Sequence, residues 1–230
     1  MSVLLLRLAG PLQSWGDSSR FATRGTRREP TKSGVIGMVA AALGRSRDDS
    51  MEDLVALRFG TRVDQPGTVV RDFHTVLTGT GKAANSALTE RFYVADAVFV
   101  VGLEGDSALL DEVRNALNDP TFIIGLGRRS CPPTGQLVLG VVEQPLDDAL
   151  VNVPWQASDW YQRRQPREVL LEILKESEPG EHGTTQRDVP ISFSRSHRQY
   201  GWRQVVSHHI QIANPNGHDR DDWFAALEGA

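Results

Sequence analysis

The chain has a single cysteine, Cys131, among its 230 residues. That excludes an internal disulfide and a zinc site built from cysteines. No stretch approaches the roughly 18 to 20 apolar residues that a membrane span requires. The opening MSVLLLRLAGPLQSWG holds only a short apolar run before Arg7 and no basic segment ahead of it, so it reads as a first strand and not as a signal peptide. Internal repeats and low-complexity tracts are missing. His208 and His209 are adjacent, which on a strand sends them to opposite faces, and no other spacing gathers metal ligands. A phosphate-binding P-loop is also missing. In GTRREPTKSG the motif needs a glycine before Lys32-Ser33, but Thr31 stands there, with Pro30 ahead of it. The expectation is a cytoplasmic protein without cofactor or metal.

Apolar residues make up 40% of the sequence and charged ones 23%, enough for one large core or two small ones. Charge is distributed unevenly. The net charge is −4, yet residues 1–45 carry seven basic and two acidic side chains, whereas residues 101–150 carry three and eight. The basic side is almost entirely arginine, 22 against 3 lysines. A GC-rich genome explains that bias; so does phosphate binding, because the planar guanidinium fork holds two oxygens at once. Such polarity is compatible with an anionic partner despite the negative total.

Hydrophobic patterning predicts a strand over 3–8, a long exposed loop over 13–32, and a helix capped by Thr31 or Ser33 that Gly44 ends. Apolar residues cover most of that helix's circumference, which marks it as buried, with Gly34 and Gly37 allowing close approach to a sheet. A second short helix is expected over 48–57 and strands over 57–64 and 67–76. The small, polar stretch 77–90 reads as a projecting loop between strands. A strand pattern resumes over 91–103, a helix over 107–117, and strands over 122–124 and 136–142. Beyond 144 the signals are a helix over 167–175 and a β-rich segment over 189–213. The order β–α–β–β–α–β over roughly 1–125 points to a ferredoxin-like split βαβ domain.

Four segments carry candidate chemistry. From Arg20 to Lys32 there are five cations (Arg20, Arg24, Arg27, Arg28, Lys32) against Glu29, leading into an uncharged helix. A helix start offers free N–H groups and partial positive charge, so this is either a phosphate site or a solvated basic loop. In GLGRRSCPPTGQLVLG, Gly125 and Gly127 bracket a turn that presents Arg128, Arg129 and Ser130. Such a turn holds phosphates, or is simply tight with two exposed arginines. Cys131 lacks an activating histidine nearby and reads as packing. In RDFHTVLTG, His74 is a general-base candidate or an ordinary strand histidine. In SFSRSHRQYGWR, cations alternate with Phe193, His197, Tyr200 and Trp202, which suits single-stranded nucleic acid, and equally a hairpin with its rings turned inward.

LLLRLAGPLQSWG, PTKSGVIGMVAAALG, RDFHTVLTG and GLGRRSCPPTGQLVLG, in this order over residues 3 to 140, resemble the CasD subunit family of Cascade, the type I-E CRISPR surveillance complex, within the RAMP superfamily. The resemblance implies an α+β, ferredoxin-like (RRM-like) βαββαβ domain over 1–144 with a projecting thumb at about 68–95, and a smaller β-rich portion over 145–230. It implies a non-catalytic RNA-binding subunit that grips the 5′ handle of the guide crRNA and caps the backbone filament. Its neighbours would be the backbone and large Cascade subunits, with target DNA close by and no membrane. The residues expected at RNA are Arg20, Arg24, Arg27, Arg28, Lys32, Ser33, Arg71, His74, Gly125, Gly127, Arg128, Arg129, Ser130 and Arg195. The alternative is a metal-independent RAMP-type endoribonuclease that processes precursor crRNA, with His74 or Tyr93 supplying acid–base chemistry.

Overall fold

A computed structural model describes residues 1–16, 23–78, 85–194 and 196–218. Along the chain the elements are β1 (Ser2–Ala9), β2 (Leu12–Gln13), β3 (Thr23–Arg24), α1 (Lys32–Ala42), α2 (Glu52–Val55), β4 (Arg58–Gln65), β5 (Thr68–Thr78), β6 (Asn85–Ala95), β7 (Val98–Gly105), α3 (Ser107–Asn118), β8 (Val138–Val142), α4 (Leu146–Asn152), α5 (Asp159–Gln162), β9 (Glu168–Glu176), β10 (Thr184–Ser192) and β11 (Gln199–Ala213). The protein is mixed α+β and dominated by antiparallel sheet.

Seven strands form one sheet in the order β10-β11-β9-β4-β7-β1-β8, every neighbouring pair antiparallel. β1 lies between β7 and β8 with both faces covered, which is why SVLLLRLA is nearly continuous apolar sequence and not an alternation. Leu4, Leu6 and Leu8 join the main core with α1 and α3, while Val3 and Leu5 meet Leu146, Ala149 and Leu150 of α4 on the opposite face. α3 starts at Asp106, whose carboxylate accepts from the amides of Ala108 and Leu109. α1 is buried nearly all round, as its composition predicts, and Gly44 (φ +75°) follows its end.

A second, smaller sheet joins β2 and β3 to β6, and β6 pairs along its length with β5. Across the first sheet, Arg62 and Asp64 of β4 form a fully buried bidentate pair (2.7 and 2.9 Å). The same guanidinium donates to the carbonyls of Leu150, Val153 and Pro154, fixing the end of α4 and the segment that follows it.

Several expectations are corrected. The helix expected over 167–175 is strand β9: Val169, Leu171 and Ile173 are buried in alternation between β4 and β11. Residues 122–124 form no strand. Instead the amides of Thr121 and Phe122 donate to the carbonyls of Ala42 and Ala41, satisfying the open end of α1. The succession expected over 1–125 therefore reaches its last strand only at β8. The helix expected over 48–57 is a single turn, α2. Most of the loop expected over 77–90 is hairpin strand, with 79–84 outside the described residues. The exposed loop expected from 13 begins with Gln13, Ser14 and Trp15 buried. Finally, Gly34 faces the Trp15 ring and not a sheet, since a Cβ there would lie 2.8 Å from it.

Candidate nucleic-acid interface

The turn at 125–131 is built from its own backbone. Leu126 and Cys131 are buried, the amide of Leu126 donates to Cys131 O (2.7 Å), and that of Cys131 donates to Arg128 O (2.9 Å). Gly127 has φ +82°, and a Cβ at that position would sit 1.8 Å from the carbonyl oxygen of Ser14. The turn thus clamps onto the segment after β1, and the amide of Ser14 donates to Leu126 O (3.0 Å). At Gly127, one of the residues expected at RNA, the left-handed backbone and the close approach to Ser14 both serve the protein's own turn. Arg129 and Ser130 remain exposed at the tip. Burial pushes the Cys131 thiol up, in keeping with a packing role.

Arg128 turns back. Its guanidinium lies 4.6 Å from the centroid of the Tyr93 ring, and Nη2 donates to Arg24 O (3.1 Å). The glycine turn, the basic loop and the β5–β6 hairpin therefore meet at one place. The loop is anchored there twice more. The amide of Arg27 donates to Trp15 O, and β3 runs parallel to β6 with Arg24 beside Arg91.

The four described cations of residues 24–32 separate in space. Arg24 and Arg28 are exposed and Arg27 is half-buried. Arg20 lies outside the described residues. Lys32 is only 4% exposed, and its Nζ pairs with Glu176 at 2.8 Å. It is not a free cation for a phosphate, and Ser33 beside it is buried as well. The helix start is also occupied. The amide of Lys32 donates to Asp188 Oδ2 (2.8 Å) and that of Gly34 to Thr31 Oγ1 (3.2 Å). Asp188 is buried and receives both arms of Arg203 (2.6 and 2.9 Å). A carboxylate from the distal hairpin takes the place proposed for a phosphate, because an anion there satisfies both the helix end and a buried guanidinium.

The hairpin divides the remaining candidates. Cross-strand partners share a face, so Asp72, His74, Arg91 and Tyr93 lie on one side and Arg71, Phe73 and Glu90 on the other. His74 pairs with Asp72. Arg71 stacks over Phe73 (4.6 Å) and reaches Glu90 (3.6 Å). His74 therefore shares a face with Tyr93, and Arg71 does not.

In the β10–β11 hairpin the aromatic stretch divides between inward and outward side chains. Phe193 packs beside Gly37 at the edge of the core, and Arg203 points inward. Trp202 is 65% exposed under Arg187 (5.7 Å), and Arg198 covers Tyr200 (5.4 Å). Arg195 is outside the described residues. His208 faces Asp147 (3.4 Å) and His209 the opposite side.

Sequence reasoning missed Arg91, Tyr93 as a stacking ring, and Asp188. The first two sit in an ordinary alternating strand, and the third acts on a helix 156 residues away.

Architecturally this is a sheet-dominated α+β protein. The family model described as CRISPR-associated protein (Cas_Cas5) matches residues 3–206. The CRISPR system Cascade subunit CasD of Escherichia coli (strain K12) is 35% identical over 198 residues, covering 77% of this chain and 88% of that protein. A chain of a CRISPR RNA-guided surveillance complex superposes with a TM-score of 0.78 at 33% identity, over 99% of this chain and 98% of its own. A crystal structure of a Cas protein superposes with a TM-score of 0.70 at 38% identity, over 94% and 98%. The chain belongs to the Cas5 family of CRISPR-associated proteins.

Proposed function

We propose that this protein is a non-catalytic, RNA-binding subunit of a Cascade-type surveillance complex, holding the 5′ handle of the guide crRNA and capping the backbone filament in antiviral defence. The observation that carries the reading is its likeness to CasD over 88% of that protein, joined to the meeting of Arg24 with Arg128 at the glycine turn, with Arg129 exposed on the same turn and Arg28 exposed on the same loop as Arg24. Cations gathered on adjacent loops suit a folded single strand, whose phosphates come from several directions. The strand order β8-β1-β7-β4 with crossovers through α1 and α3 supports a ferredoxin-like reading of residues 1–144. The β5–β6 hairpin is then the thumb, and residues 145–230 are a portion that extends the sheet. Other Cascade subunits are the natural neighbours, and target DNA is reached through the assembly in the cytoplasm.

Full-length protein is titrated with guide RNA bearing the native or a scrambled handle, across a salt series, in EDTA. Binding that weakens with salt and favours the native handle is expected. Salt-independent binding would remove RNA from the reading, and site-specific cutting of precursor RNA would turn it into the endoribonuclease.

A further inference from the structure

Arg128 is held in an incomplete set of interactions. Its guanidinium is stacked over Tyr93 and Nη2 is bonded to Arg24 O, yet among the described residues Nη1 is buried without a hydrogen-bond partner. Buried guanidinium donors rarely go unpaired, because the group loses its water and gains nothing in exchange. Arg91, on the same hairpin face as Tyr93, has a buried Nε that is likewise unpaired among the described residues. Tyr93 is only 4% exposed and belongs to the main core, so the guanidinium lies over a ring that is otherwise fixed. A planar cation resting on a rigid aromatic ring, beside exposed arginines, has the shape and location of a stacked nucleobase.

Resting on the RNA-binding reading above, we infer that Arg128 is a placeholder and that Tyr93 is the platform for one unstacked base of the bound RNA. In the free protein the guanidinium covers the ring. When RNA arrives, a phosphate oxygen gives Nη1 the acceptor it lacks and draws Arg128 off the ring, and the neighbouring base takes its place. The exchange satisfies both partners at once: the cation gains a charge-assisted bond, and the ring trades a cation for a base with a full π face. The site thus selects for a nucleotide whose base is flipped out of its strand, and the chemical class of its ligand is single-stranded RNA.

The test scans the guide handle with single abasic sites, measuring binding to full-length protein. At one position the missing base weakens wild-type binding at least 5-fold, from the range found for base–aromatic stacking. Tyr93→Phe keeps that penalty and Tyr93→Leu removes it, with thermal melts confirming that each variant is folded. Arg128→Ala is the decisive arm, and it stands even if Tyr93→Leu fails to fold. It flattens the log K versus log salt slope by about 0.7 while the abasic penalty at the same position persists or grows. If Arg128→Ala abolishes the penalty, the base stacks on the arginine and the inference is overturned. It is equally overturned if wild type binds intact guide but no abasic position is sensitive to Tyr93. Failure of wild type to bind intact guide at all would instead overturn the RNA-binding reading itself.

Discussion

Gly127 offers the sharpest test of how the turn is held. Two separate obstacles meet an alanine there: a left-handed φ of +82° and a Cβ only 1.8 Å from Ser14 O. Gly135 has a similar φ of +71°, but its nearest neighbour is the end of the Arg7 side chain at 3.4 Å, so it isolates the backbone effect. A Cβ at Gly25 would meet nothing within 4 Å among the described residues and its φ is not positive, so it isolates the unfolded-chain effect. A left-handed alanine costs about 1 to 2 kcal/mol, offset by roughly 0.4 to 1 kcal/mol from the stiffer unfolded chain. Gly25→Ala should therefore be neutral or slightly stabilising, and Gly135→Ala destabilising by about 1 kcal/mol. Gly127→Ala must also push away Ser14, whose amide donates a hydrogen bond to Leu126 O and whose hydroxyl donates one to Phe92 O. Overpacking of this kind adds about 1 to 3 kcal/mol, for a total of roughly 2 to 4 kcal/mol. Urea unfolding followed by tryptophan fluorescence reads this as a fall in midpoint of about 1 M, given a slope of about 3 kcal/mol/M. If Gly127→Ala came within about 0.5 kcal/mol of Gly135→Ala, the clamp on Ser14 would be refuted.

Arg28→Ala and Arg129→Ala should each flatten the salt dependence of guide binding by about 0.7, whereas Lys32→Ala should leave that slope unchanged and lower the melting temperature, because it unpairs Glu176. A flattened slope for Lys32→Ala would return that residue to the RNA surface. Asp188→Ala should destabilise by about 3 to 5 kcal/mol, since it leaves the buried Arg203 guanidinium uncompensated; calorimetry showing less than about 1 kcal/mol would contradict the role given to Asp188. Asp64→Ala should unfold the protein by a similar margin, while the double change Arg62→Met with Asp64→Leu should cost less than Asp64→Ala alone, as a thermal double-mutant cycle would show.

What the sequence made legible follows its local signals. β1, α1 and α3 are readable because an unbroken apolar run, an apolar circumference and an amphipathic face with a capping Asp106 each admit one reading. β9 is not. Apolar residues at 169, 170, 171, 173 and 174 satisfy helical and strand periods alike, and the sheet resolves the ambiguity by leaving Leu170 69% exposed. Residues 122–124 mislead in the opposite way, since their apolar character hides a backbone role at the end of α1, with Ile123 85% exposed. In the interface, cation density is visible in the sequence but direction is not. Lys32 turns inward because Glu176 and Asp188 arrive from strands more than 140 residues later, and no local pattern announces them. The meeting of Arg128 with Tyr93 is likewise a product of topology.

The pairing of β4 with β9 bears on how the protein is made. β4 is finished at Gln65, but the strand that covers its outer edge begins only at Glu168. On the ribosome that is roughly 100 residues of further synthesis, on the order of 5 to 20 s. During that interval the core strands β1, β7 and β4 can assemble, yet a row of unpaired amides and carbonyls stays open along β4, and until the end of α4 is made the Arg62–Asp64 pair lacks its carbonyl partners. The late strands β9 to β11 close this edge and deliver Glu176 and Asp188 to the start of α1 in the same step. A nascent chain thus completes the polar contacts at the start of α1 only after its last strands emerge, although the contacts of the glycine turn with the basic loop involve no residue beyond 131.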